Sequence, residues 1–387
     1  MLENMIIIIP STPLPSVSPD PAVTMEMAAL LLLLCYGVCC TATLSRLRQF
    51  HISEKTLNWT EAQDYCQNHS ADIATVYNQE ESEQLIQLIT SKESYKAWIG
   101  LRRTIPSLKW SNGDPVNVTA WPLSNYTELN CAAFNDEKQW DVCTQEKKFM
   151  CYKKGVINPS LRYTLVKQNM TWYEAQSYCR ENYTDLVSIR NEGQKEEVKK
   201  KGMNSTTPYW IGLLYDDWEW SDGERSAYRD WAYLPHSNCT QLMTNPNKPQ
   251  KFISIPCDND KVYSLCHMGS VRIHIISEIM SWKEALDYCN KYHHGLLRIE
   301  TAEDLEAIKQ KFNGTDFTGP VWVGLRQSRL FGFWVWTNGL PVGWSNWERD
   351  RQPEQPLSNH CGAMAMEKGY KWSDQDCLFQ LAFLCEE

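Results

Sequence analysis

Side chains with hard oxygen ligands are concentrated in one stretch of the sequence, residues 347–377. They are Glu348, Asp350, Gln352, Glu354, Asn359, Ser373 and Asp374. Calcium prefers six to eight oxygen ligands, usually including carboxylates, on a loop that can converge on the ion. The stretch therefore predicts a calcium site, and the alternative is a solvated loop beside a core tryptophan, Trp372.

Three copies of one nine-residue pattern organise the rest of the chain. They are NWTEAQDYC at 58–66, TWYEAQSYC at 171–179 and SWKEALDYC at 281–289, so the pattern recurs after 113 and then 110 residues. This period is far longer than that of solenoid repeats, which predicts three self-contained domains, each with its own core. Each copy opens with a capping residue and has Glu three positions later, as in a capping box. A helix should begin at each copy.

The repeats are predicted to span 47–154, 161–267 and 271–387, after an N-terminal segment 1–42. Each has a strand-like opening, the capped helix, a second helix and a Trp-Ile/Val-Gly-Leu strand at 98–101, 210–213 or 322–325. The glycine indicates close approach of another element. A turn at 110–113, 220–223 or 336–339 carries Asn-Gly or Asp-Gly and predicts a tight hairpin. The fold class is therefore α+β, with two helices, short antiparallel strands and a long loop per domain.

Twelve of the 15 cysteines fall as four per repeat. They are Cys66, Cys131, Cys143 and Cys151; Cys179, Cys239, Cys257 and Cys266; and Cys289, Cys361, Cys377 and Cys385. Such quartets predict two disulfides per domain and an oxidising compartment. Zinc binding is the competing interpretation of the cysteines, but no quartet has two CxxC-like arms. Four cysteines permit three pairings, and the residues alone do not choose among them.

The N-terminal segment and the sequons predict secretion. Residues 28–40 form an apolar run shorter than the ~20 residues of a membrane-spanning helix, and small residues follow it, as in a signal peptide removed near Ala42. The alternative is an uncleaved anchor that holds the chain at the cell surface. Nine sequons, at Asn58, Asn68, Asn117, Asn125, Asn169, Asn182, Asn204, Asn238 and Asn313, predict a glycoprotein. No later run predicts a stable membrane span, and a net charge of -9 argues against nucleic acid as a partner.

The helix-borne first cysteine, the Trp-Ile-Gly strand, the long loop and the three closing cysteines together resemble the C-type lectin-like domain family. Three tandem copies are similar to parts of macrophage mannose receptor-like proteins. The resemblance implies pairing of the first cysteine with the fourth and of the second with the third. The implied bridges are Cys66–Cys151 and Cys131–Cys143, Cys179–Cys266 and Cys239–Cys257, and Cys289–Cys385 and Cys361–Cys377.

The resemblance also implies roles in the oxygen-rich stretch. In sugar-binding members, a Glu-Pro-Asn or Gln-Pro-Asp loop and a Trp-Asn-Asp strand hold calcium, which in turn binds two sugar hydroxyls. By position, the calcium ligands are Gln352, Glu354, Asn359, Ser373 and Asp374, and the carbohydrate-binding residues are Gln352, Glu354, Asn359 and Asp374. Pro353 would be cis in the loaded site. Because Asn359 and Ser373 replace stronger ligands, the expected calcium affinity is about 0.1 to 1 mM.

The other two repeats lack this oxygen set. The corresponding loop has only Glu128 in repeat one and no acidic residue in repeat two, so neither should bind calcium. Trp344 and Trp347 are the candidates for stacking on sugar, and His293-His294 is interpreted as a helix-end pair. The absence of HExxH, GxSxG and P-loop motifs argues against an enzyme, and Asp136 and Glu137 are read as a solvated loop.

The predicted function is a secreted carbohydrate-binding protein that recognises glycans or glycoproteins through calcium in domain 3. The alternative is metal-independent recognition of a protein or lipid by the tandem domains.

Overall fold

A computed structural model gives the fold. It describes residues 45–117, 130–135, 138–154, 162–203, 205–233, 235–245, 248–315, 317–328, 332–353 and 360–387. The predicted signal peptide lies outside these residues, as do Glu128, Asp136, Glu137, Glu354 and Asn359. No helix in the described part of the chain is both long and apolar enough to cross a membrane.

Six α-helices, two per repeat, occupy the described residues. They are α1 (Trp59–His69), α2 (Gln79–Ser91), α3 (Trp172–Asn182), α4 (Glu192–Gly202), α5 (Trp282–Tyr292) and α6 (Ala302–Phe312). The predicted capping boxes are confirmed at the first helix of every repeat, where Asn58, Thr171 and Ser281 accept hydrogen bonds from the backbone N–H groups of Glu61, Glu174 and Glu284. The cap satisfies backbone donors that would otherwise be unpaired.

The strands of the first two repeats are β1 (Gln49–Ile52), β2 (Asp72–Ile73), β3 (Lys96–Trp110), β4 (Asn130–Phe134), β5 (Lys138–Val142), β6 (Lys147–Tyr152), β7 (Tyr163–Met170), β8 (Asp185–Leu186), β9 (Tyr209–Trp220), β10 (Cys239–Asn245), β11 (Lys248–Ile255) and β12 (Tyr263–Met268). Those of the third repeat are β13 (Ile273–Met280), β14 (Pro320–Gln327), β15 (Trp334–Trp336), β16 (His360–Ala365), β17 (Lys371–Asp376) and β18 (Leu381–Glu386). The predicted α+β class is confirmed.

The third repeat forms its sheet and its disulfides from its own residues, and Leu47 from the start of repeat one joins its core. Its sheet has the order β13-β18-β14-β16-β17, and β15 pairs with β14. Both predicted disulfides, Cys289–Cys385 and Cys361–Cys377, are present. Its core includes Ile308, Val323 and Leu384, which are fully buried.

The first two repeats exchange halves, contrary to the expectation that each is self-contained. Strand β3 of repeat one pairs with β10 and β12 of repeat two, whereas β9 of repeat two pairs with β4 and β6 of repeat one. The buried clusters are mixed in the same way, because Leu85 packs with Leu242 and Leu265, and Phe149 packs with Trp210. We call residues 49–268 in this arrangement the exchanged pair.

The disulfides follow the exchange, so two predicted bridges are wrong. Cys66 is bonded to Cys266, 200 residues away, and Cys151 is bonded to Cys179, 28 residues away. The reason is topological, since each helix-borne cysteine faces a terminal strand that the other repeat supplies. The short-range bridges Cys131–Cys143 and Cys239–Cys257 are as predicted.

The connection after the Trp-Ile/Val-Gly-Leu strand distinguishes the closed repeat from the exchanged ones. In repeat three, Leu325 pairs with Trp336 across one hairpin, and Gly332 in the connection has a φ of +74°. Residues 102–109 and 214–219 contain no glycine, so they lack the residue that adopts positive φ without strain. The chain instead continues straight through β3 and β9, which have 15 and 12 residues.

The exchange reproduces the contacts of the closed repeat with residues from the other copy. Leu101 pairs with Trp220, and Trp110 pairs with Leu213. A Cβ on Gly100 would come within 2.8 Å of Ser221 Oγ of repeat two, as one on Gly324 would come within 3.0 Å of Thr337 Oγ1 of its own repeat. The predicted close approach at the strand glycine is therefore confirmed.

Repeat three packs directly against the exchanged pair. Gln310 of α6 accepts a hydrogen bond from the Phe50 N–H (2.7 Å) and donates one to the Phe50 carbonyl (2.6 Å). The segment just before the exchanged pair also contacts repeat three, because Ser45 donates to Asp304 at 2.8 Å and Arg46 donates to Glu386 at 2.6 Å. These contacts join repeat three to the first two repeats.

A buried histidine in β12 should make stability depend on pH. His267 is 5% exposed, and its Nε2 lies 3.6 Å from Asp222. Burial and the charge of Arg48 nevertheless lower the pKa of His267 to about 3. The folded protein therefore keeps this ring neutral while the unfolded chain protonates it below about pH 6.5, so stability falls as pH falls from about 6.5 toward 3.

We expect His267 to account for a loss of about 2 kcal/mol in the free energy of unfolding between pH 7 and pH 5. Chemical denaturation of wild type and His267→Gln at both pH values measures this contribution. The variant should show the smaller loss, whereas His69→Gln, on the exposed end of α1, should behave as wild type. Equal pH dependence in wild type and His267→Gln would contradict the assignment.

Candidate metal centre

A tryptophan cluster positions the oxygen-rich stretch of repeat three. Trp347 packs against Trp334 with ring centroids 4.8 Å apart and against Trp372 at 5.7 Å. All three rings are at least 98% buried. Their burial anchors the start of the loop to β17 because buried aromatic rings contribute large apolar contact areas.

Backbone hydrogen bonds fix the loop beside the strand that carries Ser373 and Asp374. The Glu348 N–H donates to the Trp372 carbonyl at 2.9 Å, and the Trp372 N–H donates to the Asn346 carbonyl at 2.8 Å. Further along, Trp334 Nε1 donates to the Pro353 carbonyl at 3.4 Å. Both ends of the described loop, 346–353, are thus held against the same aromatic cluster.

Asp374 and Ser373 are adjacent on β17 and have partners of their own. Asp374 Oδ2 lies 2.8 Å from His360 Nδ1, with both side chains less than one-third exposed. Ser373 Oγ accepts a hydrogen bond from Gln375 Nε2 at 3.1 Å. Asp374 retains a second carboxylate oxygen, and the strand therefore offers hard oxygen ligands of the kind that calcium takes.

Two acids of the described loop, Glu348 and Asp350, are neutralised by lysines. Lys368 Nζ donates to Glu348 at 2.7 Å, and Lys371 Nζ donates to Asp350 at 2.7 Å. Both pairs are on the surface, where such ion pairs contribute little stability. The lysines occupy both carboxylates, and neither carboxylate belongs to the ligand set that the resemblance implies.

The structure describes three of the five predicted ligands. Ser373 and Asp374 lie side by side on β17, and Gln352 lies at the end of the anchored loop, whereas Glu354 and Asn359 are outside the described residues. In the part of the chain that is described, no three acidic, histidine or cysteine side chains converge at this loop. Ser373 and Asp374 offer oxygen ligands of the kind that calcium takes, and the predicted ligand set stays a prediction.

The bond before Pro353 is trans here, since the described backbone contains no cis peptide. The cis form was predicted for the loaded site and stays a prediction for that state. Trp347, a candidate for stacking on sugar, is instead a core residue at 2% exposure, and Trp344 is only partly buried.

Sequence reasoning missed His360 as a partner of Asp374. Its signal is the strand register, because His360 opens β16 and pairs with Asp376, two residues beyond Asp374 on the neighbouring strand. Without knowledge of that register, the position of His360 next to Cys361 does not indicate that it contacts Asp374.

A second group of ligand-type side chains lies where β13, the end of α5 and the residue after β18 meet. One ligand atom from each of His274, His293 and Glu387 falls within 4.8 Å of the other two. Burial and the neighbouring His274 lower the pKa of His293 to about 4. Burial opposes ionisation of Glu387, but its contacts with His274 and Arg272 hold the pKa of this carboxyl well below its usual range. His293 is the C-cap of α5, as the helix-end interpretation predicts.

The exchanged pair contains a cavity of about 590 Å³ that both repeats line. Its walls include Pro106, Lys109 and Val116 from repeat one and Glu219, Trp220 and Arg225 from repeat two. The cavity lies along the paired strands β3 and β9, so residues of both repeats line it.

The fold and the disulfides define a protein made of small, disulfide-bonded α+β modules that carry a candidate cation site on a loop. The chain belongs to the Lectin C-type domain family, which matches it three times, at residues 55–153, 168–268 and 278–387. It is similar to proteins of the macrophage mannose receptor group, which carry several such domains.

The similar curated proteins are large receptors. The secretory phospholipase A2 receptor of Bos taurus is 23% identical over 433 residues, which cover 89% of this chain and 29% of the receptor. The C-type mannose receptor 2 of Homo sapiens is 22% identical, with 86% of this chain and 27% of the receptor covered. Lymphocyte antigen 75 of Mus musculus is 24% identical, with 76% and 21% covered. The chain thus spans less than a third of the length of these relatives.

Among solved structures, an SPL-1 complex with GlcNAc is 18% identical, with a TM-score of 0.28 over 31% of this chain and 89% of that one. The C-type lectin CEL-I from Cucumaria echinata is 19% identical, with a TM-score of 0.28 over 30% and 90%.

Proposed function

We propose that this protein is a secreted glycan-binding lectin in which repeat three recognises sugar through a bound calcium ion. The observation that carries the proposal is the anchoring of loop 346–353 against β17, which places the Gln352-Pro353 segment and the Ser373-Asp374 pair on the same aromatic cluster. Membership of the lectin family supports it, and one relative is named as a mannose receptor. Secretion is part of the proposal and rests on the apolar run 28–40.

In this proposal Gln352, Glu354, Asn359, Ser373 and Asp374 hold the ion, and Gln352, Glu354, Asn359 and Asp374 also contact the sugar. The calcium supplies a cationic centre for neighbouring sugar hydroxyls when it is bound. Asp374 provides a carboxylate oriented by His360, and the tryptophan cluster limits the movement of the loop. A ligand set held by rigid elements loses less entropy on binding than a free loop would.

Asp374→Asn should weaken calcium binding by at least about tenfold, because it removes one of the two carboxylates in the predicted set. Calcium titration of the full chain by calorimetry measures the loss, and glycan-array binding with and without EDTA reports the sugar. We expect EDTA-sensitive glycan binding by the wild type and little by the variant.

Glu348→Gln is the matched control, because it changes an acid of the same stretch that is paired with Lys368. It should bind calcium as the wild type does. Equal affinity of Asp374→Asn and the wild type, or equal losses in both variants, would reject the ligand assignment.

The second candidate function is metal-independent recognition of a protein or lipid. The shared cavity of the exchanged pair favours it, since it offers charged and aromatic walls in a rigid framework, and one relative is named as a phospholipase receptor. Binding of a protein or lipid that needs no glycan, that EDTA does not reduce and that Arg225→Glu abolishes would favour this function over the first.

A further inference from the structure

We propose that His274, His293 and Glu387 form a zinc site at the end of repeat three that faces the exchanged pair, separate from the candidate calcium loop. Two imidazoles and one carboxylate are a ligand set that zinc accepts with a fourth position left for water. The oxygen ligands predicted for the loop and for Asp374 suit calcium instead, so the two proposed sites differ in chemistry as well as in place.

The geometry requires only a small closure to bind the ion. The three ligand atoms lie within 4.8 Å of one another, and the two imidazole centroids are 4.9 Å apart. Tetrahedral zinc with bonds of about 2.0 to 2.1 Å separates its ligand atoms by roughly 3.3 Å. Side-chain rotations that move two of the ligand atoms by about one ångström each would bring the three atoms to this spacing.

One ring nitrogen in the cluster lacks a partner. His293 Nδ1 is buried without a hydrogen-bond partner, whereas His274 Nε2 contacts a carboxylate oxygen of Glu387. Leaving a buried polar atom unsatisfied costs about 1 to 3 kcal/mol. A zinc ion would satisfy such nitrogens, because an unprotonated imidazole nitrogen is its usual ligand.

The framework around the cluster is rigid. His274 lies in β13 opposite Cys385, and His293 ends α5, which the Cys289–Cys385 bridge joins to β18. The His294 N–H donates to the Glu386 carbonyl at 2.8 Å, which fixes the helix end to the strand that leads into Glu387. Ligands on three linked elements are preorganised for a metal.

Basic side chains near the cluster orient the Glu387 carboxylate and should lower the affinity of the site for zinc. Arg272 NH2 donates to Glu387 Oε2 at 3.0 Å, and its guanidinium also lies 3.9 Å from the centre of the Tyr77 ring of repeat one. Lys154 of repeat one contacts the carbonyl of Tyr292, next to His293. These charges should make zinc binding weaker than in structural sites with thiolate ligands. A bound ion would also stiffen the junction between repeat three and the exchanged pair.

The test is titration of the metal-stripped full chain with zinc chloride at neutral pH, followed by cobalt(II) as a spectroscopic probe. We expect about one zinc per chain, a rise in the unfolding midpoint and the visible absorption of four-coordinate cobalt. His293→Gln should weaken zinc binding at least about tenfold, and His274→Gln should do the same.

His294→Ala is the matched control, because this neighbouring histidine is exposed and outside the cluster. It should bind zinc as the wild type does, and so should Asp374→Asn, which separates this site from the calcium proposal. Zinc binding that His294→Ala removes, or that neither cluster variant weakens while both remain folded, would overturn the proposal.

Discussion

Replacing Cys66 and Cys266 together with serine is expected to leave no new free thiol, whereas replacing Cys66 and Cys151 together is expected to free two. The reason is that Cys66 is bonded to Cys266 and Cys151 to Cys179. The first variant removes one complete bridge, while the second breaks both and leaves Cys179 and Cys266 without partners. Mass spectrometry after alkylation without reduction counts the thiols relative to wild type.

The two variants are matched in burial, because Cys66, Cys151 and Cys266 are all fully buried. Loss of one bridge should cost about 2 to 5 kcal/mol of unfolding free energy, and the second variant should lose more because both bridges are gone. Peptide mapping under non-reducing conditions gives the same answer directly. A peptide that joins residue 66 to residue 151 would show that each repeat closes on itself and would contradict the exchange.

The local structure could be predicted from the sequence because its causes are local. The capping boxes at Asn58, Thr171 and Ser281 form between residues three positions apart. The buried Trp-Ile/Val-Gly-Leu strand follows in the same way from its apolar residues and its glycine. The short-range bridges Cys131–Cys143 and Cys239–Cys257, which the family resemblance implies, each lie within one repeat, so they do not depend on which repeat supplies a partner.

The exchange could not be predicted because both arrangements make nearly the same contacts. Leu101 meets a tryptophan of the Trp-Ser-Asx-Gly turn whether that turn comes from its own repeat or from repeat two. The choice depends on whether the connection can reverse direction, and the signal is the missing glycine at 102–109 and 214–219. Short or strained hinge connections are a known route to exchanged domains.

The candidate sites show the same division between local and distant signals. The adjacent pair Ser373 and Asp374 could be predicted as ligands because both residues belong to one short motif, Trp372-Ser373-Asp374. The cluster of His274, His293 and Glu387 draws on three segments separated by 19 and 94 residues, so no spacing pattern connects them. Only the packing of α5 against β13 and β18 brings them together.

Asp216→Asn is expected to destabilise the protein by about 3 to 5 kcal/mol, because it leaves two buried cations without their counter-ion. Asp216 is 1% exposed and lies between Arg229 Nε at 2.9 Å and Lys109 Nζ at 2.8 Å. Burial opposes its ionisation, but the charges of Arg229 and Lys109 hold the pKa of Asp216 below its usual value. Chemical denaturation at pH 7 measures the loss.

Asp217→Asn is the matched control in the next position of β9. Its side chain is 26% exposed and pairs with Arg103, which is 32% exposed, at 3.0 Å. Burial raises the pKa of Asp217, so the protein gains less from ionising this carboxyl. We expect a loss below about 1 kcal/mol, as for other partly exposed ion pairs. Similar losses in the two variants would show that Asp216 is not the buried counter-ion.

The Asp216 pair also tests the exchange without cysteine chemistry. Lys109 belongs to β3 of repeat one and Asp216 to β9 of repeat two, and the two strands pair only in the exchanged arrangement. A double-mutant cycle with Lys109→Met and Asp216→Asn should therefore give a coupling energy of about 1 kcal/mol or more. If each repeat were closed, Lys109 and Asp216 would lie in separate hairpins and the two effects would add.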